Sequence, residues 1–280
     1  MLRARVLTAL LLLAALGALL FAAPAFYWKC AVLLVALLAS WEWGGLVRLP
    51  LLSRGLYVGL TALLAWVCEW AQARDSASGL PGTLYLLSLI FWIGIAPLWL
   101  ARQWKIGSPA LLAATGWLLI LPTGFALVTL HQAGPWTLLV FMAVIWLSDS
   151  AAYFVGRAWG KRKLAPAISP GKTWEGVGGG LAAVLVYAAV LSFSGVADVR
   201  TDAVLQGLGL AWIPLSLLLA VLGILGDLFE SWIKRCAGVK DSGRLLPGHG
   251  GILDRIDALT AALPLAAWIV MEKGGWYSVH

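Results

Sequence analysis

Apolar residues run through this chain in long blocks, without the strict alternation of strands or the narrow apolar stripe of a surface helix. The blocks fall at roughly 6–23, 30–47, 56–71, 83–100, 110–130, 136–156, 176–194, 209–226 and 258–272. Each approaches the ~20 residues that a helix needs to cross a bilayer. The pattern predicts an all-α, polytopic integral membrane helical bundle of about nine transmembrane helices, forming a single domain over 1–280. Two stretches break it with dense polarity, about 157–175 and 227–257.

Composition agrees with that pattern. Of 280 residues, 61% are hydrophobic and 12% charged, with a mean hydropathy of +0.90. Soluble domains carry about 45–50% apolar and about 25% charged residues. The three cysteines, Cys30, Cys68 and Cys236, form no CxxC pair, and an odd number completes no disulfide framework; they are read as small apolar fillers, not zinc or iron–sulfur ligands. Arg3 and Arg5 precede an apolar run ending Ala23-Pro24-Ala25, which mimics a signal cleavage site. The length of the run, and the apolar block that follows at once, favour its retention as the first span.

Charge then orients the bundle. With a cytoplasmic N-terminus and nine spans, only Lys29, Arg74, Arg200 and Lys273 of the 20 basic residues fall outside. Short cytoplasmic loops retain Lys and Arg, and a change of one span would scramble the asymmetry. The net charge of +7 is thus that of a cytoplasmic membrane face, not a nucleic-acid signal. Both polar loops fall on that face. The first half, to about 135, reads as scaffold helices, with Glu42 and Glu69 as almost its only intramembrane charges. The second half, 136–280, carries the chemistry.

The run from Ser231 to Asp257 is SWIKRCAGVKDSGRLLPGHGGILDRID. Just before it, Asp227 continues an apolar helix without a break; an acid at that depth is costly and a candidate functional group. Continued helix places Asp227, Glu230, Ser231 and Lys234 on one face. Asp254 and Asp257 share a face at the start of the last helix. Between these two helix ends lies a basic, glycine-rich loop, in which Gly248, Gly250 and Gly251 surround His249 and their backbone N–H groups can approach an anion. Carboxylates with Lys and Arg, without paired His or Cys, suit a hard cation such as Mg²⁺ held together with phosphates, and not zinc.

The other loop runs from Asp149, flanked by the small Ser148, Ser150, Ala151 and Ala152 that permit close helix approach, to SPGKTWEG at 169–176. Gly171-Lys172-Thr173 has the look of a P-loop ending, but residue 166 is Pro where the leading glycine belongs, and no strand is predicted before it. Lys172 remains a candidate phosphate contact, with Ser169, Thr173 and Glu175 beside it. The competing reading is a plain helix start after Pro170, with Lys161–Lys163 as a headgroup patch.

The run Ser231, Lys234-Arg235, Lys240-Asp241, Pro247, His249-Gly250-Gly251, Asp254-Arg255 and Asp257 resembles the signature of the phosphatidate cytidylyltransferase, or CDP-diacylglycerol synthase, family. It departs from that signature nowhere. The 149–176 segment resembles the family's second polar region, with Gly171 where a basic residue is common. The specific resemblance covers about 140–280. It implies CTP + phosphatidate → CDP-diacylglycerol + pyrophosphate at the cytoplasmic side of a bacterial inner membrane. It also implies a divalent metal, a second, monovalent cation, and a homodimer.

On that resemblance Asp227 and Asp254 are the expected metal ligands, with Asp257 and Glu230 behind them. Lys172, Lys234, Arg235, Lys240, Asp241, His249 and Arg255 form the expected catalytic set. Asp149, Ser169, Thr173, Glu175, Ser231, Pro247, Gly248, Gly250 and Gly251 form the substrate-binding set. The attacking phosphate is already ionised, so positioning and electrostatics dominate such a transfer. A CTP-dependent enzyme acting on an isoprenoid or an ether lipid would use similar parts. A transporter would be expected to show matched helix breaks in two halves, whereas here the polar sites gather on one side.

Overall fold

The computed structural model describes residues 2–74, 79–193, 207–246, 248 and 250–273. Its helices are α1 (Leu2–Phe21), α2 (Ala25–Leu46), α3 (Leu51–Arg74), α4 (Leu80–Arg102), α5 (Pro109–Ala133), α6 (Pro135–Trp159), α7 (Trp174–Phe193), α8 (Trp212–Ala237) and α9 (Leu253–Lys273). Among the described residues, the seven from α2 to α8 are long and apolar enough to cross a membrane. An all-α polytopic membrane protein is what the apolar blocks predicted. In α4 the ladder loosens into a π-turn over Phe91–Ile95, immediately before Pro97, which has no N–H to donate.

α9 is the central element, packed against α8, α5, α4 and α6. It presents Ala258, Ala261, Ala262, Ala266 and Ala267, all at most 4% exposed, and these short side chains allow neighbours in on several sides. α6 and α7 pack as closely: a Cβ on Gly180 would lie 2.8 Å from the Ser148 carbonyl, and one on Gly176 2.7 Å from that of Ala152. The small residues around Asp149 do allow the close approach expected of them.

One feature departs from the sequence reading. The first polar loop holds a two-stranded antiparallel hairpin, β1 (Lys163–Ala165) with β2 (Ser169–Thr173), pairing Lys163 with Thr173 and Ala165 with Ser169. Helix α7 therefore starts at Trp174, not directly after Pro170. A strand does precede α7, and Lys172 lies inside it. The chain is still no P-loop: the hairpin is antiparallel, and position 166 is proline.

Candidate active site

The ends of α8 and α9 bring the carboxylates together. Gly226 makes this possible, because a Cβ there would sit 2.5 Å from the Asp257 carbonyl and 3.2 Å from Ala258 Cα. The face of α8 then carries Asp227, Glu230, Ser231 and Lys234 toward α9. Lys234, only 6% exposed, donates from Nζ to Glu230 Oε2 at 3.1 Å and to Asp254 Oδ1 at 2.6 Å. Ser231 Oγ donates to Asp227 Oδ1 at 3.2 Å. The other oxygen, Asp227 Oδ2, lies 2.6 Å from Lys172 Nζ, so β2 reaches the end of α8. Asp257 lies within electrostatic range of Glu230 and Asp227, and the exposed Asp149 within range of Lys172 and Asp227. Five carboxylates from three helices thus surround two lysines.

Asp254 is the most fully engaged of the acids. Besides Lys234 on Oδ1, its Oδ2 accepts from the Gly251 N–H at 2.8 Å and the Ser242 N–H at 2.9 Å, with Ser242 Oγ at 3.0 Å. A carboxylate offers about four lone-pair positions, so Asp254 acts here as the organiser of its own loop. The Gly251 N–H points at this carboxylate, which narrows the anion cradle expected of the glycine turn. A Leu246 N–H to Gly250 carbonyl bond of 2.9 Å closes that turn. Lys240, Asp241, Arg244, Gly248 and Arg255 line its exposed rim. Pro247 and His249 lie outside the described residues.

The hairpin is held by groups that the sequence reading cast differently. Glu175 does not touch Lys172; its Oε2 accepts the Lys161 and Arg162 N–H groups, both at 3.1 Å, and its Oε1 accepts Arg162 Nε at 3.1 Å. Thr173 Oγ1 accepts the Gly176 N–H at 3.1 Å, an N-cap on α7. Arg235 donates from Nε to the Ile168 carbonyl at 3.2 Å and from Nη1 to the Val239 carbonyl at 3.1 Å, pinning the hairpin tip to the end of α8. Ser169 is half-buried in β2.

Two further residues at the site were not among those expected. Glu42 of α2 accepts the Ile252 and Leu253 N–H groups, and Ser242 Oγ lies 2.9 Å from its Oε2. The available signal was its place as one of the few acids in the scaffold half; nothing local ties it to a loop 200 residues away.

The donor set suits a hard cation in its chemistry. All candidates are oxygens, and Glu230 Oε1 is buried without a hydrogen-bond partner. Among the described residues, no three His, Cys, Asp or Glu side chains are grouped closely enough to form a metal cage. Mg²⁺ is commonly held by one or two carboxylates plus substrate phosphates, without an all-protein cage, so the arrangement fits that mode.

A model of the cytidylyltransferase family matches residues 3–272. The chain is 39% identical to phosphatidate cytidylyltransferase of Haemophilus influenzae, over 96% of this chain and 98% of that protein. It is 38% identical to the protein of the same name from Pseudomonas aeruginosa, over 98% of both. The Bacillus subtilis phosphatidate cytidylyltransferase is 45% identical over 50% of this chain and 49% of its own.

Proposed function

The chain belongs to the cytidylyltransferase family, and from that premise we propose that it is a phosphatidate cytidylyltransferase, a nucleotidyltransferase of phospholipid biosynthesis. A phosphate oxygen of phosphatidate attacks the α-phosphorus of CTP. The new P–O bond yields CDP-diacylglycerol, and the bond to the bridging oxygen breaks to release pyrophosphate. The observation that carries this reading is the meeting of the two polar loops. Lys172 reaches Asp227 at 2.6 Å and Lys234 reaches Asp254 at 2.6 Å, so cations and acids alternate where two apolar helices end.

The reaction brings one anion against another, and fixed charges lower that barrier without reorganising. Lys172, partly exposed, is placed to leave Asp227 for a phosphate. Lys240, Arg244 and Arg255, on the exposed rim, receive the rest of the triphosphate. Lys234 is sealed among its own acids and holds Glu230 and Asp254 at their spacing. Asp227, with one further carboxylate from Glu230 or Asp257 and the substrate phosphates, would hold Mg²⁺; Asp254, met by four donor groups, is the most fully engaged of the expected ligands. When bound, the ion supplies positive charge to the triphosphate. The lipid's acyl chains stay in the bilayer beside the helices.

The same reading puts the site at the cytoplasmic face, on the distribution of basic residues; the bacterial inner membrane rests on the family resemblance. The homodimer and the second, monovalent cation rest on the family resemblance.

The test is CTP labelled at the α- or γ-phosphate, given to purified protein with phosphatidate, an isoprenoid alcohol or an ether lipid. Label from the α-position should enter lipid with phosphatidate. Transfer of γ-label to lipid would mean a kinase, and α-label entering only the ether lipid would move the substrate class.

A further inference from the structure

Glu42 belongs to the half of the chain with none of the expected site residues, yet it is 1% exposed and faces the signature loop. Its Oε1 accepts the Ile252 N–H at 3.0 Å and its Oε2 the Leu253 N–H at 2.9 Å. Those amides stand at the start of α9, where the first N–H groups of a helix have no partner within it. Glu42 thus caps α9 from another helix, and its charge suits the positive end of the helix dipole. Arg54 of α3 interacts with it electrostatically.

The loop is shaped around this carboxylate. A Cβ on Gly243 or on Gly251 would overlap the Glu42 carboxylate oxygens, so at those two positions glycine lets the acid in. Ser242 Oγ sits between two acids, 2.9 Å from Glu42 Oε2 and 3.0 Å from Asp254 Oδ2. Its single proton serves one of them at a time, which ties the two carboxylates into one network. Asp254 in turn sets the partner of Lys234. A buried carboxylate costs several kcal/mol unless donors meet it, and three donor groups from this loop meet Glu42.

We propose that Glu42 is a positioning residue for the cytidylyl transfer: it holds the first turn of α9 and, through Ser242, fixes Asp254 in the geometry that receives Lys234. The proposal rests on the functional reading above. Outer-shell partners of this kind typically contribute 10–100-fold.

The experiment uses the full chain with Glu42→Gln, Ser242→Ala and the double variant, read by kinetics and by amide hydrogen exchange across 241–257. Glu42→Gln should lower kcat/KM by about 10–100-fold and speed exchange in that segment, in protein still folded at the assay temperature. Ser242→Ala, which leaves the Glu42 bonds to α9 intact, should lose less in the same direction. The double variant should fall short of the product of the two losses. A lowered melting temperature with unchanged kcat/KM and unchanged exchange would overturn the proposal. If Glu42→Gln does not fold, Ser242→Ala decides: unsubstituted-like kinetics and exchange there overturn it as well. Failure of the unsubstituted protein to make CDP-diacylglycerol would sink the functional reading instead, and exchange would still decide whether Glu42 holds the loop.

Discussion

Lys172 and Asp227 meet at 2.6 Å, although one lies in a β-hairpin after α6 and the other in the last turns of α8. Their contact joins the two polar loops into one site. Lys172→Ala should lower kcat/KM by about 100-fold, the typical loss when one preorganised electrostatic donor is removed. Lys172→Arg should recover part of it. Steady-state kinetics on well-folded protein check this; near-normal rates for the alanine variant would return the hairpin to a headgroup-binding role.

Asp227 and Asp254 differ in their surroundings. Asp227 receives one hydroxyl and one lysine, whereas Asp254 is held by Lys234, Ser242 and Gly251. Both Asn variants should lose most activity, and the double variant should be little worse than either, as for groups acting as one unit. Raising Mg²⁺ should partly rescue Asp227→Asn, while Asp254→Asn should respond little and show faster exchange in the loop. Full metal-dependent activity in Asp227→Asn would remove it from the ligand set. Chelation should abolish activity in the unsubstituted protein, and added Mg²⁺ should restore it.

Lys234 is buried between Glu230 and Asp254. Breaking a buried ion pair by removing one partner leaves an uncompensated charge and costs about 3–5 kcal/mol. Lys234→Met should therefore lower thermal stability in detergent as well as activity. A variant as stable as the original would show that this lysine is not the structural centre of the acid cluster.

Arg235 acts on the hairpin in this geometry, through the Ile168 carbonyl. Lysine lacks the fork that serves Ile168 and Val239 together. Arg235→Lys should raise exchange across 163–173 and raise KM for CTP, because Lys172 rides on that strand. An unchanged exchange pattern with a large fall in kcat would point to direct phosphate contact instead.

Much of this protein was legible from the chain alone. Uninterrupted apolar blocks leave no choice but a helical membrane bundle, since lipid offers no partner to an unpaired backbone group. The acids at the ends of α8 and α9 stood out because charge is costly at that depth, and the helical repeat set Asp227, Glu230, Ser231 and Lys234 on one face. Tertiary structure decided how these groups are partnered. Pairing depends on which helix ends meet, and that was set by close approaches such as Gly226 against Asp257. It divided the lysines, leaving Lys172 reachable and sealing Lys234. It turned Glu175 and Arg235 toward the hairpin backbone, where unpaired N–H and carbonyl groups needed partners. It also brought in Glu42: a buried carboxylate and the free amides at the start of α9 each required a partner, and only the packing of α2 beside that loop let them satisfy one another.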